Sequence, residues 1–258
     1  MRDDDIAFAK RLADAAGAAI RPYFRAEFGL ETKADASPVT LADRAAEAAI
    51  RSILETERPG DGIIGEEYGT VRENAARQWV IDPIDGTRSF IAGRAIFGTL
   101  IALMEDGWPI LGLIDQPIQH ERWVGAVGHP TSFNDVPVRT RACPSVASAH
   151  LASTGPQYFD EAQNHRFEYI MKQVRTTSWG GDCYNYGLLA SGHIDIVVEA
   201  GLKIHDFAAL IPVVEGAGGM MCDWAGEPLN ATSEGHVIAL GDPARLEDVL
   251  EGLACHGH

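Results

Sequence analysis

Apolar residues return every three or four positions at Ile6, Ala9, Leu12, Ala13, Ala16 and Ile20, the spacing of a helix with one buried stripe. After a turn at Ser37-Pro38 the same period runs through residues 43–54, inside a predicted helix of 42–55. Thr40-Leu-Ala-Asp43 in front of it has the form of a capping box. The period then changes. Residues 79–81, 97–104, 110–116 and 121–127 are dense apolar runs that predict strands, with Glu105-Asp-Gly107 as a hairpin-type turn. The two helices should pack on the sheet that these strands form. Further on, the pattern alternates: a strand at 147–153, a helix at 159–173, a helix at 184–190 ending at Ser191-Gly192, and a strand at 194–199. A helix at 206–216 and strands at 219–223 and 236–240 close the chain. This is a layered α/β pattern. Residues 128–144, rich in Gly, Pro and polar side chains, are the candidate boundary between an N-terminal half, 1–143, and a C-terminal half, 144–258.

Composition narrows the class. With 258 residues, 46% of them hydrophobic, the chain can bury a substantial core. Cys143, Cys183, Cys222 and Cys255 show neither metal-ligand spacing nor the density of a disulfide scaffold, so reduced thiols in a cytoplasmic protein are expected. The acidic N-terminus leads into an amphipathic helix rather than a secretory signal, and no apolar run approaches a membrane span. Against 37 Asp and Glu stand 21 Lys and Arg, a formal net charge of −16, which argues against nucleic-acid partners. His256 and His258 in the tail read as a frayed terminus.

Two acidic segments follow apolar runs. Asp82-Pro-Ile-Asp-Gly-Thr87 leaves Trp79-Val-Ile81, and Gly65-Glu-Glu67 leaves Ile63-Ile64. A kinked turn after a strand lets Asp82 and Asp85 converge while the Ile84 carbonyl, freed from the ladder, aims at the same point. Such hard oxygen clusters suit Mg²⁺, and Glu66 and Glu67 leave room for more than one ion. Acidic turns more commonly just face water, and Asp206 before Phe207-Ala-Ala-Leu210 has the reading of a helix N-cap. The joint occurrence of these segments favours chemistry.

Gly65-Glu66-Glu67, Asp82-Pro-Ile-Asp-Gly-Thr87 and Asp206 with Glu215-Gly-Ala-Gly-Gly219 resemble, in order and spacing, the inositol monophosphatase-like superfamily of Mg²⁺-dependent, lithium-sensitive phosphomonoesterases. The resemblance spans nearly the whole chain. It implies a five-layered α-β-α-β-α sandwich, two or three Mg²⁺ ions, a small phosphate monoester as substrate, and a homodimer. It also implies Glu66, Asp82 and the Ile84 carbonyl on a first ion, Asp82, Asp85 and Asp206 on a second, and Glu67 near a looser third. Asp43 and Thr87 would join Glu66 around the attacking water, and the amides of Gly86 and Thr87 would donate to the phosphate. The segment with Lys33 and Ser37-Pro38 resembles the family's mobile metal-site loop. Metal is essential in this reading, because a chain of −16 repels a dianionic ester unless bound cations invert the local field.

For the leaving alcohol, Asp182, Asn185 and Glu199 fall where the resembling family lines its pocket. Glu199 alone would serve hydroxyl groups; a second carboxylate at Asp182 suits a cationic leaving group such as that of histidinol phosphate. Arg88-Ser-Phe-Ile-Ala-Gly93, Phe97-Gly-Thr-Leu-Ile-Ala-Leu103 and Trp179-Gly-Gly-Asp-Cys-Tyr184 also look like the histidinol-phosphatase branch. Asp182 has the alternative of capping a helix near Cys183, Glu199 that of ending a strand in solvent, and His205 that of a packing neighbour of Asp206. The expectation is a histidinol-phosphate phosphatase; the alternatives are an inositol or broad-specificity sugar monophosphatase and, more remotely, a silent metal- or phosphate-binding regulator.

Overall fold

The computed structural model describes residues 3–26, 30–32 and 38–254. Lys33, Ser37, Cys255, His256 and His258 lie outside the described residues. The predicted stripe folds as α1 (Asp3–Ile20), with Ala9, Leu12, Ala13, Ala16 and Ile20 fully buried. A short hairpin, β1 (Leu30–Thr32) and β2 (Pro38–Thr40), leads into α2 (Leu41–Glu57). The capping box forms: Thr40 Oγ1 accepts the amides of Ala42 and Asp43, and the Asp43 carboxylate accepts that of Thr40 at 2.8 Å.

Eight strands make the first sheet: β3 (Gly62–Gly65), β4 (Gly69–Val71), β5 (Arg77–Asp85), β6 (Gly98–Glu105), β7 (Trp108–Gln116), β8 (Glu121–Ala126), β9 (His129–Phe133) and β10 (Val136–Pro137). Their order is β10-β9-β8-β7-β6-β5-β3-β4, antiparallel throughout except for the parallel pair β3 and β5. Helix α3 (Thr87–Ile91) follows β5. Beyond the first sheet come β11 (His150–Ser153), α4 (Glu161–Met171), β12 (Thr176–Trp179), α5 (Tyr184–Ala190) and β13 (Ile196–Glu199). The chain ends through α6 (Ile204–Phe207), α7 (Leu210–Gly216), β14 (Met220–Cys222), β15 (Val237–Leu240) and α8 (Leu246–Leu253). The second sheet runs β12-β11-β13-β15-β14.

Side-chain alternation sorts these strands into layers, because successive residues of a strand face opposite sides. Trp79, Ile81, Ile101, Leu103 and Leu113 join α1 and α2 in one core, whereas Val80, Leu100, Ala102 and Ile114 face α5 and α7 in another. Ala152, Val197 and Ala239 of the second sheet close that middle core from the far side. Leu151, Ile196, Val198, Ile238 and Leu240 turn the other way and pack with Phe167 and Ile170 of α4 and Val249 and Leu253 of α8. The architecture is therefore an α-β-α-β-α sandwich of five layers. Sheets covered on both faces need continuous apolar strands, which is why the runs in the sequence show so little alternation.

Three expectations change. Residues 128–144 do not form a bare boundary: they carry β9 and β10, joined by Asn134 and Asp135 at φ 47° and 66°, a turn of the hairpin-favouring type. The helix expected at 206–216 is split into α6 and α7. Pro212 cannot donate to the carbonyl of Ala208 and its ring crowds that group, so the ladder breaks there. The helix expected at 159–173 starts only after Asp160, whose side chain accepts the Gln163 amide as an N-cap.

Candidate active site

Because β3 and β5 are parallel, with Gly65 beside Ile81, their carboxyl ends open side by side and deliver Glu66 next to Asp82. The β5–β6 register slips between Asp82 and Asp85, where Pro83 sits and its carbonyl accepts Thr99 Oγ1 at 2.8 Å. A bulge re-aims side chains, and here it brings Asp85 back toward Asp82. Asp206 comes from α6, where it is not the N-cap: its carboxylate accepts the Lys203 amide at 2.7 Å as the third helical residue.

The outcome is two overlapping clusters. Carboxylate oxygens of Asp82, Asp85 and Asp206 lie within 4.8 Å of one another, as do ligand atoms of Glu66, Asp82 and His205. His205 is more than a packing neighbour of Asp206: the short helix turns its ring to the same side, with Nε2 3.6 Å from Asp206 Oδ1. Burial pushes the Asp82 carboxyl well above its ordinary range, and the charges of Glu66, Asp85 and Asp206 push further. Asp85 is raised likewise, by burial and then by Asp182 and Asp206, while Asp206 is raised by burial against the opposing pull of His205. Buried oxygens that repel one another at this separation fit a hard divalent cation, which removes the repulsion.

Around this cluster, Thr87 Oγ1 stands 3.1 Å from the Ile84 carbonyl and 3.4 Å from Asp43 Oδ1. Asp43 is fully buried, and that burial raises its carboxyl despite the two hydrogen bonds from Thr40. Gly86 precedes α3 at φ 86°, and a Cβ there would meet the Asp182 carboxylate, so glycine is what lets the two turns touch. Gly86 and Thr87 line the cleft.

A cleft of about 220 Å³ extends from the cluster, with residues of both sheets in its lining. Asp182 and Glu199 both line it. Asp182 does not cap α5; its carboxylate accepts the Ser89 hydroxyl at 3.1 Å, and burial raises its pKa to about 6 against the pull of Ser89, Arg94 and Arg88. Glu199 does not end its strand in solvent: it is 5% exposed. Thr154 N donates to its Oε1 at 2.9 Å and the Tyr186 hydroxyl to its Oε2 at 3.0 Å, while burial pushes it up to about 7. The Asn185 amide donates to the Gly180 carbonyl at 3.0 Å, and the residue is buried at the start of α5, after a turn of positive-φ residues, outside the cleft lining. Glu67 also stands outside that lining. Sequence reasoning missed Ser89, Thr154 and Tyr186, whose only advance signal was that buried carboxylates need donors. It also missed Tyr158, an aromatic in the cleft lining with Arg88 stacked 5.4 Å from its ring centre; Trp179 packs on Phe167.

The sequence pattern of the inositol monophosphatase family matches residues 1–256. The chain belongs to the inositol monophosphatase family. Its phosphatases are metal-dependent hydrolases of phosphoric monoesters, a chemistry that the paired acidic groups suit. Within the family, the chain is 47% identical over 254 residues to the bifunctional phosphatase IMPL2, chloroplastic, of Arabidopsis thaliana, covering 95% of this chain and 73% of that one. It is 38% identical over 228 residues to the histidinol-phosphatase of Mycobacterium tuberculosis, covering 86% and 88%. Among solved structures, an inositol monophosphatase from Zymomonas mobilis superposes with a TM-score of 0.91 at 57% identity, covering 97% and 98%. Among the described residues of this family member, no helix is long and apolar enough to cross a membrane.

Proposed function

We propose that the chain hydrolyses histidinol phosphate to histidinol and phosphate, using water and magnesium. The observation that carries this reading is the pair of carboxylates, Asp182 and Glu199, lining the same cleft as the acidic cluster. Burial raises both, Asp182 despite Arg94 and Arg88, and a leaving group bearing an ammonium or imidazolium would favour their charged forms. The similarity to the Mycobacterium tuberculosis histidinol-phosphatase supports the same substrate. A second reading, inositol monophosphate, is favoured by the higher identity to the Zymomonas mobilis protein.

In the proposed reaction Glu66, Asp82 and the Ile84 carbonyl would hold one ion, Asp82, Asp85 and Asp206 would hold a second, and Glu67 would steady a looser third. Magnesium held there would supply a more acidic water and countercharge for the phosphoryl and leaving-group oxygens. Thr87 Oγ1 donates to Asp43 and accepts from the attacking water, which turns the water's lone pair toward phosphorus. The amides of Gly86 and Thr87 donate to the phosphate. The thiol of Cys183 faces the cleft but is pushed far up by burial and by Asp85, so it stays protonated and no protein nucleophile competes. The same reading includes sensitivity to Li⁺, a homodimer and a cytoplasmic location.

A side-by-side assay of histidinol phosphate and inositol monophosphate with purified protein tests the substrate. Greater turnover of the first is expected; equal or greater turnover of the second overturns it. Asp182→Ala should raise KM for histidinol phosphate more than for a neutral ester, and equal effects on both would remove the argument from charge.

A further inference from the structure

Helix α2 places Asp43, Glu47 and Arg51 one turn apart, hence in a row on one face. The first reaches Thr87. The second reaches a different loop. Glu47 is completely buried, and its Oε2 accepts the amide of Glu67 at 2.7 Å while its Oε1 accepts that of Tyr68 at 3.2 Å. Arg51 Nε donates to the same Oε1 at 2.7 Å, and Arg51 Nη2 donates to the Gly69 carbonyl. Gly65 and Gly69 pair directly, so residues 66–68 are the whole connection between β3 and β4. With Glu66 N donating to the Ile81 carbonyl at 3.2 Å, each of the three loop amides has a fixed acceptor. A Cβ on Gly65 would overlap the Glu47 carboxylate, so glycine is what allows that carboxylate to lie across the loop.

We propose that Glu47, neutralised by Arg51, is a positioning residue that locks the 66–68 loop and thereby holds the Glu66 carboxylate at the acidic cluster for magnesium. The proposal rests on the reading of Glu66 as a metal ligand. It acts through the backbone, because the carboxylate substitutes for a bound anion in a cup of N–H groups. Groups that orient metal ligands from behind carry about 10–100-fold in metal affinity.

The test is Glu47→Gln, whose amide turns a donor toward one of the loop's N–H groups or toward Arg51. Titration calorimetry of metal-free protein with Mg²⁺ should show affinity weakened at least about tenfold, and hydrogen exchange at the Glu67 and Tyr68 amides should accelerate. A purely structural Glu47 would lower the melting temperature while leaving the folded protein's magnesium affinity intact. Arg51→Lys, which keeps the charge and loses the fork, is the gentler variant and should weaken magnesium binding several-fold. Wild-type affinity with protected amides in either folded variant overturns the proposal alone; wild-type protein that takes up no magnesium overturns the reading of Glu66 and this proposal with it.

Discussion

Asp82 belongs to both acidic clusters and is 2% exposed, so its charge meets Glu66, Asp85 and Asp206 with little solvent screening. Asp82→Asn should cost more than about a hundredfold in activity, beyond what orienting groups carry. The same change removes like-charge repulsion, so it should raise the melting temperature of metal-free protein at neutral pH; a lower value would refute the electrostatic account. Glu199 gives the pH dependence. Its carboxyl titrates near 4.5 when unfolded and about 7 when folded. Between those values the folded chain keeps a proton the unfolded chain has lost, so stability falls as pH rises from 4.5 to about 7 and levels off above. In metal-free Glu199→Gln, melting temperature measured over that range should lose this part of the slope. Asp82, Asp85 and Thr87 were legible because they share one short string. The partners of Glu199 were not: Thr154 lies 45 residues away and Tyr186 lies 13 away, and only folding aligns them.

At the scale of elements, the middle helices sit unusually close to the first sheet. A Cβ at Gly112 of β7 would overlap the Ala209 carbonyl, and one at Gly125 of β8 the Pro212 carbonyl. These two glycines let the α6–α7 junction and the first turn of α7 rest on the strands, and α6 carries Asp206. Gly112→Ala should therefore destabilise by about 1–3 kcal/mol through overpacking and raise the magnesium requirement, read from denaturant unfolding and a Mg²⁺ titration of activity. Unfolding within about 0.5 kcal/mol of wild type would show that the contact yields freely. The long helices α1 and α2 were readable from period and cap. The α6–α7 break was readable in principle from Pro212, but the apolar period through 206–216 masked it. Asn134-Asp135 gave a turn signal that the polar setting of β9 and β10 concealed.

For the whole molecule, the formal charge of −16 and a buried cluster of carboxylates oppose folding until cations arrive. Magnesium should raise the melting temperature, by about 2.7 kcal/mol of stability at a hundred times its Kd, or roughly 5–10 °C for a chain of this size. Scanning calorimetry with and without Mg²⁺ checks this. Asp82→Asn should abolish the increment, and an equal increment in that variant would place the ion elsewhere. The cleft itself is a product of the layers. Its cluster lies at the carboxyl ends of β3 and β5 in one sheet, and Glu199 at the end of β13 in the other.

The sequence alone determined what is local: the periods that make helices and double-covered strands, the Thr40–Asp43 cap, and the acidic string that kinks after β5. These depend on neighbours a few positions apart, whose geometry the backbone fixes. Tertiary structure decided which distant groups meet. The parallel pairing of β3 with β5 set Glu66 beside Asp82, Gly112 and Gly125 let the α6–α7 region that carries Asp206 rest on the first sheet, and the turn before α5 set Asp182 against Ser89 in the cleft. Each of those outcomes is fixed by the burial of apolar faces between layers, which no spacing along the chain encodes.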